Sequence, residues 1–266
     1  MEMKKKKNFN FIIGSMITGI IVFFVILGCF YTPYDPEMMD SSQKLAGVSW
    51  AHWMGCDNFG RDIFSRVLVG SRNTLFVATS TVLIGASIGT MIGAITGYFG
   101  GLLDEILMRI LDTIFAFSSI LLALVMIAIL GVGMKNVIIA LGIAFIPSFA
   151  RIVRSEFMHC KNLDYVKSAR LAGVSHLRIM FVHILPNIRT ILLSAIMIGF
   201  NNAVIAEAGM SYLGIGVQPP DASLGSMLSE AQAYIFSTPT YAMFPGIVMI
   251  LMILGFSLLG EGYARN

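Results

Sequence analysis

The chain has 266 residues, of which 56% are hydrophobic and only 12% are charged. A soluble domain of this length has about 25% charged residues, because a folded protein needs polar surface that faces water. The composition therefore excludes an ordinary soluble domain and favours a protein that is surrounded by membrane lipid. The net charge of +3 is too small to indicate a nucleic-acid partner.

Six apolar stretches predict six transmembrane helices, because about 20 mostly apolar residues are needed to cross about 30 Å of hydrocarbon. Four stretches are uncharged and well defined: 11–30, 75–99, 113–130 and 241–260. Two are less regular: 136–150, which can extend into 151–153, and 190–205, which continues to Glu207. The predicted fold is an all-α integral membrane protein.

The distribution of lysine and arginine predicts the orientation of these spans. If the N-terminus is cytoplasmic, the segments on the inner side of the membrane hold 13 of the 18 Lys and Arg residues, and the outer segments hold five. Lysine and arginine are enriched in cytoplasmic loops. We therefore expect a multi-pass protein of the cell membrane with its N- and C-termini in the cytoplasm.

The first span has an alternative interpretation as a lipoprotein signal peptide. Residues 4–7 are lysines, an apolar run follows them, and Ile26-Leu27-Gly28-Cys29 is similar to a lipobox. Five further spans and the length of the apolar run favour an uncleaved anchor. On this basis we divide the chain into residues 1–74, an anchor helix with an extracytoplasmic segment, and residues 75–266, the core transmembrane domain with spans two to six.

The second span contains four glycines in strict register. Gly85, Gly89, Gly93 and Gly97 are each four residues apart. Glycines at this spacing lie on one face of a helix and let another backbone approach closely. The pattern predicts a tight helix contact, either within the chain or with another subunit.

Sequence patterns of catalysis are missing. No segment has the Gly-x-x-x-x-Gly-Lys-Ser/Thr pattern of a phosphate-binding loop, and the three cysteines and four histidines lack metal-ligand spacing. We therefore predict that the chain is not an enzyme and holds no metal or cofactor. Energy for transport would come from a partner or from a gradient, unless the protein is a passive pore.

The segment 151–187 predicts a helix–glycine–helix elbow on the cytoplasmic side. Ala169 and its neighbours suit a short helix, which Gly173 would end in a left-handed cap. A second, amphipathic helix would stop at Pro186. Its apolar residues recur three and four apart: Leu177, Met180, Phe181 and Ile184. An elbow with a basic outer face suits docking to a partner; the alternative is a basic loop held by lipid headgroups.

This elbow resembles the EAA motif of binding-protein-dependent ABC importer permeases. In that motif Glu-Ala-Ala is followed by three residues and a glycine, and Ile-x-Leu-Pro follows some nine residues later. The matching residues are Ala169, Gly173, Ile184, Leu185 and Pro186. Lys167 stands where the family usually has Glu, and Ser168 where it usually has Ala. These departures affect the salt bridge that the Glu would make, and they leave the geometry of the elbow intact.

Two further blocks resemble one branch of these permeases. Residues 55–66 read GCDNFGRDIFSR and resemble the GTDxxGRDxxSR block of the dipeptide/oligopeptide/nickel permeases, with Cys56 in place of Thr. Residues 211–220 read SYLGIGVQPP and are similar to the SFLGLGVQPP block, although Leu224 stands where Trp is usual. The resemblance covers most of residues 31–262 and is to the C-type subunit, which pairs with a B-type permease.

The resemblance implies a type I-like importer fold and a set of partners. These are a second, homologous permease in a heterodimer, two ABC ATPase subunits that bind ATP and Mg, an extracytoplasmic substrate-binding protein and membrane lipid. The resemblance also implies that the elbow couples the ATPases to the spans, through Ala169, Gly173 and Pro186. The apolar residues of the elbow are expected to anchor it in a groove of the partner: Leu171, Leu177 and Phe181.

The resemblance leaves two substrate classes open. Residues 209–214 and 136–140 are somewhat more similar to the nickel-type members than to the oligopeptide ones. Nickel or a metal chelate is therefore the first expectation, with di- or oligopeptides close behind. Two other functions are kept as alternatives. An ion-coupled secondary transporter would need carboxylates in several spans, and a membrane scaffold would not need the elbow.

Charged residues on the outer side are candidate functional residues. The residues Asp57, Arg61, Asp62 and Arg66 have helical spacings that permit local ion pairs on an exposed segment, which indicates a structural rim. Glu207 follows the fifth span as an isolated carboxylate near membrane depth. Such a residue is predicted to face the outside or the pore, as a possible pathway residue.

Overall fold

The computed structural model describes residues 2–264 of the chain, with side chains for residues 9–263. Regular structure in this part is helical. The helices are α1 Glu2–Phe30, α2 Ile63–Phe99, α3 Gly101–Phe115, α4 Ser119–Leu130, α5 Met134–Cys160, α6 Asp164–Leu171, α7 His176–Arg178, α8 Arg189–Tyr212, α9 Leu224–Ala231 and α10 Thr240–Ala264. A π-helical turn, Ile179–Ile184, follows α7, and short 3-10 turns occur at Ser41–Gln43 and Gln232–Tyr234.

Five of the described helices are each long and apolar enough to cross a membrane: α1, α2, α5, α8 and α10. The sixth crossing requires α3 and α4 together, and these two helices are bent by 87° at the break between them. The prediction of one continuous third helix over 113–130 is therefore wrong. Ser118 has ψ of 133°, outside the helical region, so the helix cannot continue through it.

The other spans are longer than their apolar runs. Helix α2 begins at Ile63, where the Asp62 side chain accepts a hydrogen bond from the backbone N–H of Ser65 and caps the helix. It continues across residues 74 and 75, where the sequence was divided into two segments. Helix α5 extends past Pro147 to Cys160 and includes two arginines. Hydrogen bonding within a helix continues beyond the apolar residues that identify it in sequence.

The most extensive helix contact is between α2 and α5. The four glycines of α2 lie along this contact. A Cβ atom added at Gly89 would lie 2.6 Å from the Cβ of Phe149 and 2.8 Å from the carbonyl oxygen of Ile146. One added at Gly97 would lie 2.6 Å from the carbonyl oxygen of Arg154. The close contact is thus made within the chain, between the backbones of two membrane-spanning helices.

The helices define two ends of the bundle. The elbow end contains the C-terminal ends of α2 and α5 and the N-terminal end of α8; the opposite end contains the N-terminal ends of α2, α5 and α10. Both termini of the described chain lie at the elbow end, where Asn10 Nδ2 is 3.4 Å from Glu261 Oε2. An even number of crossings brings the chain back to the side on which it began.

Candidate functional site

The elbow consists of residues 161–188 and turns at Gly173; residues 151–160, which the sequence assigned to this segment, are the last turns of α5. This glycine has φ of +75°, which confirms the left-handed cap predicted from the sequence. Its N–H donates to the carbonyl oxygen of Arg170 at 3.0 Å, and the N–H of Val174 donates to that of Ala169 at 3.1 Å. These two bonds form a Schellman motif, which satisfies the last carbonyl groups of α6.

The second arm of the elbow differs from the predicted amphipathic helix. Helix α7 has three residues and then widens into the π-helical turn, in which the N–H of Leu185 donates to Met180 O at 2.9 Å. Because a π-turn bonds each residue to the fifth along the chain, it rotates the side chains away from α-helical positions. Met180 and Ile184 are buried, whereas Leu177 and Phe181, predicted to lie with them, are exposed.

The inner face of the elbow packs on a hydrophobic cluster that is separate from the main core. Val166, Ile179 and Ile184 are fully buried there, against Tyr98 of α2 and Phe157 of α5. Burying a large aliphatic side chain stabilises a fold by about 1.5–3 kcal/mol. The elbow is therefore firmly packed on the ends of α2 and α5.

Polar contacts attach the elbow to the last turn of α2. The hydroxyl of Tyr98 lies 2.9 Å from Nδ1 of His176, and the guanidinium of Arg170 lies 4.9 Å from the centre of the Tyr98 ring. Lys161 Nζ donates to the carbonyl oxygen of Gly97 at 2.8 Å. The elbow therefore contacts both α2 and α5, which pack closely against each other at the glycines.

On the outer face of the elbow, three large apolar side chains are exposed, because no other part of the described chain packs on them. Leu171 is 90% exposed, Leu177 66% and Phe181 52%. Gly173 and Pro186 are also exposed, and Ala169 is half-buried at the edge of the packed face. Three large apolar groups at the tip of a well-packed segment are typical of a docking surface.

A cleft of about 510 Å³ opens between α4, α5 and α8, beside the bend that separates α3 from α4. Among the described residues, those that line it are apolar except for serines and one asparagine: Ser118, Ser119, Ser148 and Asn202. None of its lining residues is charged. Sequence reasoning missed this cleft, although Asn202 within an apolar span was a usable signal.

The structure does not bring Glu207 to this cleft. Its carboxylate is fully buried, accepts a hydrogen bond from Ser211 Oγ at 2.6 Å, and lies 3.3 Å from Thr74 Oγ1. The expectation that Glu207 faces the outside or the pore is thus corrected. The sequence shows a lone carboxylate, but hydroxyl groups from α2 and from its own helix surround it in the fold.

Buried charges form a cluster at the opposite end. Asp57 Oδ2 accepts from Arg61 Nε at 2.6 Å and from Arg66 Nη1 at 3.1 Å. Both arginines also donate to Glu230 of α9, at 2.8 and 3.2 Å. Burial raises the pKa of Glu230, while the hydrogen bond from Tyr241 and the charge of Arg61 lower it. The cluster fastens the segment before α2 to α9 and α10.

The predicted ion pairs thus exist, but the segment that carries them is buried and not exposed. Asp57 is 0% exposed and Arg66 2%. Asp62 pairs with His52 and caps α2 instead of joining an arginine. Glu230 was missed, because it lies far away in the sequence and no local spacing connects it to the arginines.

Membrane-spanning helices, an uncharged cleft and a packed elbow with an apolar outer face define an integral membrane permease. Residues 89–266 match the family described as "Binding-protein-dependent transport system inner membrane component". The chain belongs to this family and is a permease subunit of an ABC importer. The resemblance stated from the elbow and the two sequence blocks is confirmed.

Several relatives match over most of their length. The glutathione transport system permease protein GsiD of Pectobacterium atrosepticum is 41% identical over 253 residues, which are 93% of this chain and 84% of the relative. The dipeptide transport system permease protein DppC of Haemophilus influenzae is 36% identical over 263 residues, or 97% and 89% of the two chains.

Solved structures of the MetNI methionine ABC transporter in inward-facing conformations share the fold. One matches with a TM-score of 0.62 and 20% identity over 75% of this chain and 95% of its own. A second has a TM-score of 0.63 and 19% identity, over 75% and 94%. At this identity the similarity extends to the fold alone, and it confirms the predicted all-α permease architecture.

Proposed function

We propose that this permease forms a heterodimer with a second, homologous permease and that peptides cross the membrane between them. The cleft supports this proposal, because it opens on one side of a single chain and so offers half of a pathway. Hydroxyl and amide groups on an apolar surface suit the neutral hydrogen-bonding groups of a peptide backbone. An extracytoplasmic binding protein delivers the substrate.

Two ATPase subunits, which bind ATP and Mg, dock on the elbow and supply the energy. The single observation that carries this assignment is the division of the elbow into two faces. Its outer face exposes Leu171, Leu177 and Phe181, while its inner face is buried against α2 and α5. A partner that binds the outer face therefore moves α2 and α5, which pack closely against each other at the glycines of α2. Because the ATPases dock on the elbow from the cytoplasm, the elbow and both termini lie on the cytoplasmic side of the membrane.

Peptides are the proposed substrate class, and nickel is the alternative from the sequence. The names of two relatives, a glutathione and a dipeptide permease, support the peptide assignment. The complex reconstituted in liposomes should take up labelled dialanine or glutathione when the binding protein and ATP are present. Uptake of Ni²⁺ without uptake of either peptide would reverse this assignment.

The coupling role is tested at Gly173. A β-branched residue in the left-handed conformation is strained by roughly 1–2 kcal/mol, whereas asparagine enters this conformation more readily. A Cβ added there meets no atom within 4 Å beyond the adjacent residues, so the two variants should differ mainly in backbone conformation. Gly173→Val should abolish substrate-stimulated ATP hydrolysis and uptake, and Gly173→Asn should keep most of both.

The measurement is ATPase activity of the reconstituted complex with and without loaded binding protein. Membrane insertion of both variants and substrate affinity of the separate binding protein should be unchanged, because the spans do not depend on the elbow. Normal stimulation in the Gly173→Val complex would refute the coupling role and favour a loop held by lipid headgroups.

A further inference from the structure

The segment between α1 and α2 encloses a second pocket, at the opposite end from the elbow and apart from the cleft. Its volume is about 320 Å³. Its lining includes five aromatic side chains and one carboxylate: Tyr31, Tyr34, Trp50, Trp53, Phe64 and Asp62. The rings of Trp53 and Phe64 are 5.3 Å apart and inclined by 51°, so they form two walls at an angle.

The carboxylate of this pocket is held rigidly. Asp62 is 4% exposed, and its Oδ2 accepts hydrogen bonds at 2.8 Å from both the N–H and the hydroxyl of Ser65. Its Oδ1 lies 2.9 Å from Nδ1 of His52. A carboxylate has about four acceptor positions, and these contacts use three of them and fix its direction. Burial strengthens its attraction for a nearby cation.

The surroundings also favour a positive ligand. Residues 31–62 contain five acidic residues and two basic ones, Lys44 and Arg61. Arg61 is bound by Asp57 and Glu230, and neither basic side chain is among the described residues that line the pocket. His52 contacts Asp62 through Nδ1, and among the described residues that line the pocket Asp62 is the charged one, so the lining favours a cation over an anion.

The two tryptophans present their rings at the surface of the pocket. Trp50 is 98% exposed and Trp53 62%, and both border the pocket. A cation over an aromatic face is attracted by the electrons of the ring, and tryptophan gives the strongest attraction. We propose that this aromatic pocket binds a small organic ammonium group, with the rings around the cation and Asp62 as its counter-charge.

Other ligand classes fit the pocket less well. A metal ion needs several oxygen or nitrogen ligands, and here one carboxylate with mostly occupied oxygens faces aromatic rings. A purely apolar ligand would gain nothing from the negative charge of Asp62. An ammonium group can come from the amino terminus of a peptide or from an ethanolamine or choline headgroup. The inference stands independently of the proposed transport function.

The chain offers a specific probe, because its two tryptophans, Trp50 and Trp53, both border the pocket. Tetramethylammonium chloride is titrated into the full chain in phosphatidylglycerol liposomes, which contain no amine headgroup. Tryptophan emission should change saturably. The neutral tert-butanol, of similar size, should bind at least about tenfold more weakly, and NaCl at equal ionic strength should have no effect. Equal responses to the cation and the alcohol, or no saturable response, would overturn the proposal.

A variant pair tests the location of binding. Trp50→Leu removes an exposed ring without disturbing packing and keeps Trp53 as the reporter. It should weaken tetramethylammonium binding by about three- to tenfold. Phe236→Leu removes a fully exposed ring outside the pocket and should bind as the wild type does. Wild-type affinity in Trp50→Leu would contradict the proposed site.

Competition distinguishes the two sources of the ammonium group. Dialanine should displace tetramethylammonium if the site takes a peptide amino terminus, and N-acetyl-dialanine should not. Liposomes with phosphatidylethanolamine or phosphatidylcholine should reduce the response if the site takes a headgroup. Either result supports an ammonium site. Failure of every one of these amines to compete would refute it.

Discussion

Asp57 accepts hydrogen bonds from two arginine side chains and from the backbone N–H groups of Phe59 and Arg61. A buried charge that loses its partner is destabilising by about 3–5 kcal/mol. Asp57→Asn keeps the shape of the side chain but removes the charge between the arginines. We expect the variant to lose about 3–5 kcal/mol of unfolding free energy in mixed micelles.

Asp164→Asn provides the matched control for this prediction. Asp164 pairs with Lys167 at 3.4 Å, and its side chain is 98% exposed. Water screens such a pair, so its removal should leave the unfolding free energy unchanged within error. Equal stability of the two variants would show that the charge cluster contributes little to the fold.

The thiol of Cys56 should be chemically inert in the folded protein. Burial, with a smaller contribution from the charges of Asp62 and Asp57, raises its pKa to about 11. At pH 8 about 0.1% of such a thiol is the reactive thiolate, and the side chain is fully buried. Iodoacetamide should therefore leave Cys56 unmodified in native membranes and alkylate it after denaturation, as measured by mass spectrometry of the digested chain. Alkylation of the native protein would contradict this burial.

At the scale of helices, the contact between α2 and α5 depends on the absence of side chains. Gly89→Ala places a methyl group against Phe149 and the backbone of Ile146, and overpacking costs about 1–3 kcal/mol. Gly19→Ala, on α1, adds the same methyl group where no atom lies within 4 Å. There the change should stabilise the helix by up to about 1 kcal/mol.

The two alanine variants should therefore shift the thermal unfolding temperature in opposite directions. Folded yield of Gly89→Ala should also fall, because the two helices can no longer approach. If Gly89→Ala is as stable as the wild type, the backbones do not touch at this glycine in the membrane.

The bent pair of helices is attached to the same α2–α5 unit. Arg154 of α5 makes two bonds to Asp104 of α3, at 2.6 and 2.7 Å, and Arg151 reaches Asp112 at 2.6 Å. The elbow packs on the same end of α5. Helix α5 thus contacts both the elbow and the bent pair of helices.

At the scale of the whole molecule, the positive-inside distribution predicts which end faces the cytoplasm. In a variant with Cys29 replaced by serine, Ser175→Cys should react with a membrane-impermeant maleimide only in inverted vesicles. Phe236→Cys, at the opposite end, should react in intact cells. Both positions are exposed, so access is decided by the membrane and not by the fold. Labelling of Ser175→Cys from outside would invert the orientation of the chain.

Sequence reasoning succeeded where the signal is local. Apolar runs of about 20 residues indicate spans because hydrocarbon requires them, and the structure has one continuous helix at five of the six predicted stretches and a bent pair at the third. The glycine at residue 173 predicted a left-handed turn because only a residue without Cβ adopts it freely. The elbow and the two sequence blocks were sufficient to indicate the permease family.

Tertiary structure alone decided which residues meet across the chain. Glu230 joins arginines that precede it by more than 160 positions, and Glu207 is enclosed by hydroxyl groups of α2 and its own helix. The glycines of α2 could have faced any helix, and the cleft exists because α4 leaves α3 at a steep angle. The spacing of residues along one helix determines which side chains share a face. Which neighbour covers that face depends on how all the helices pack together, and no local pattern contains that information.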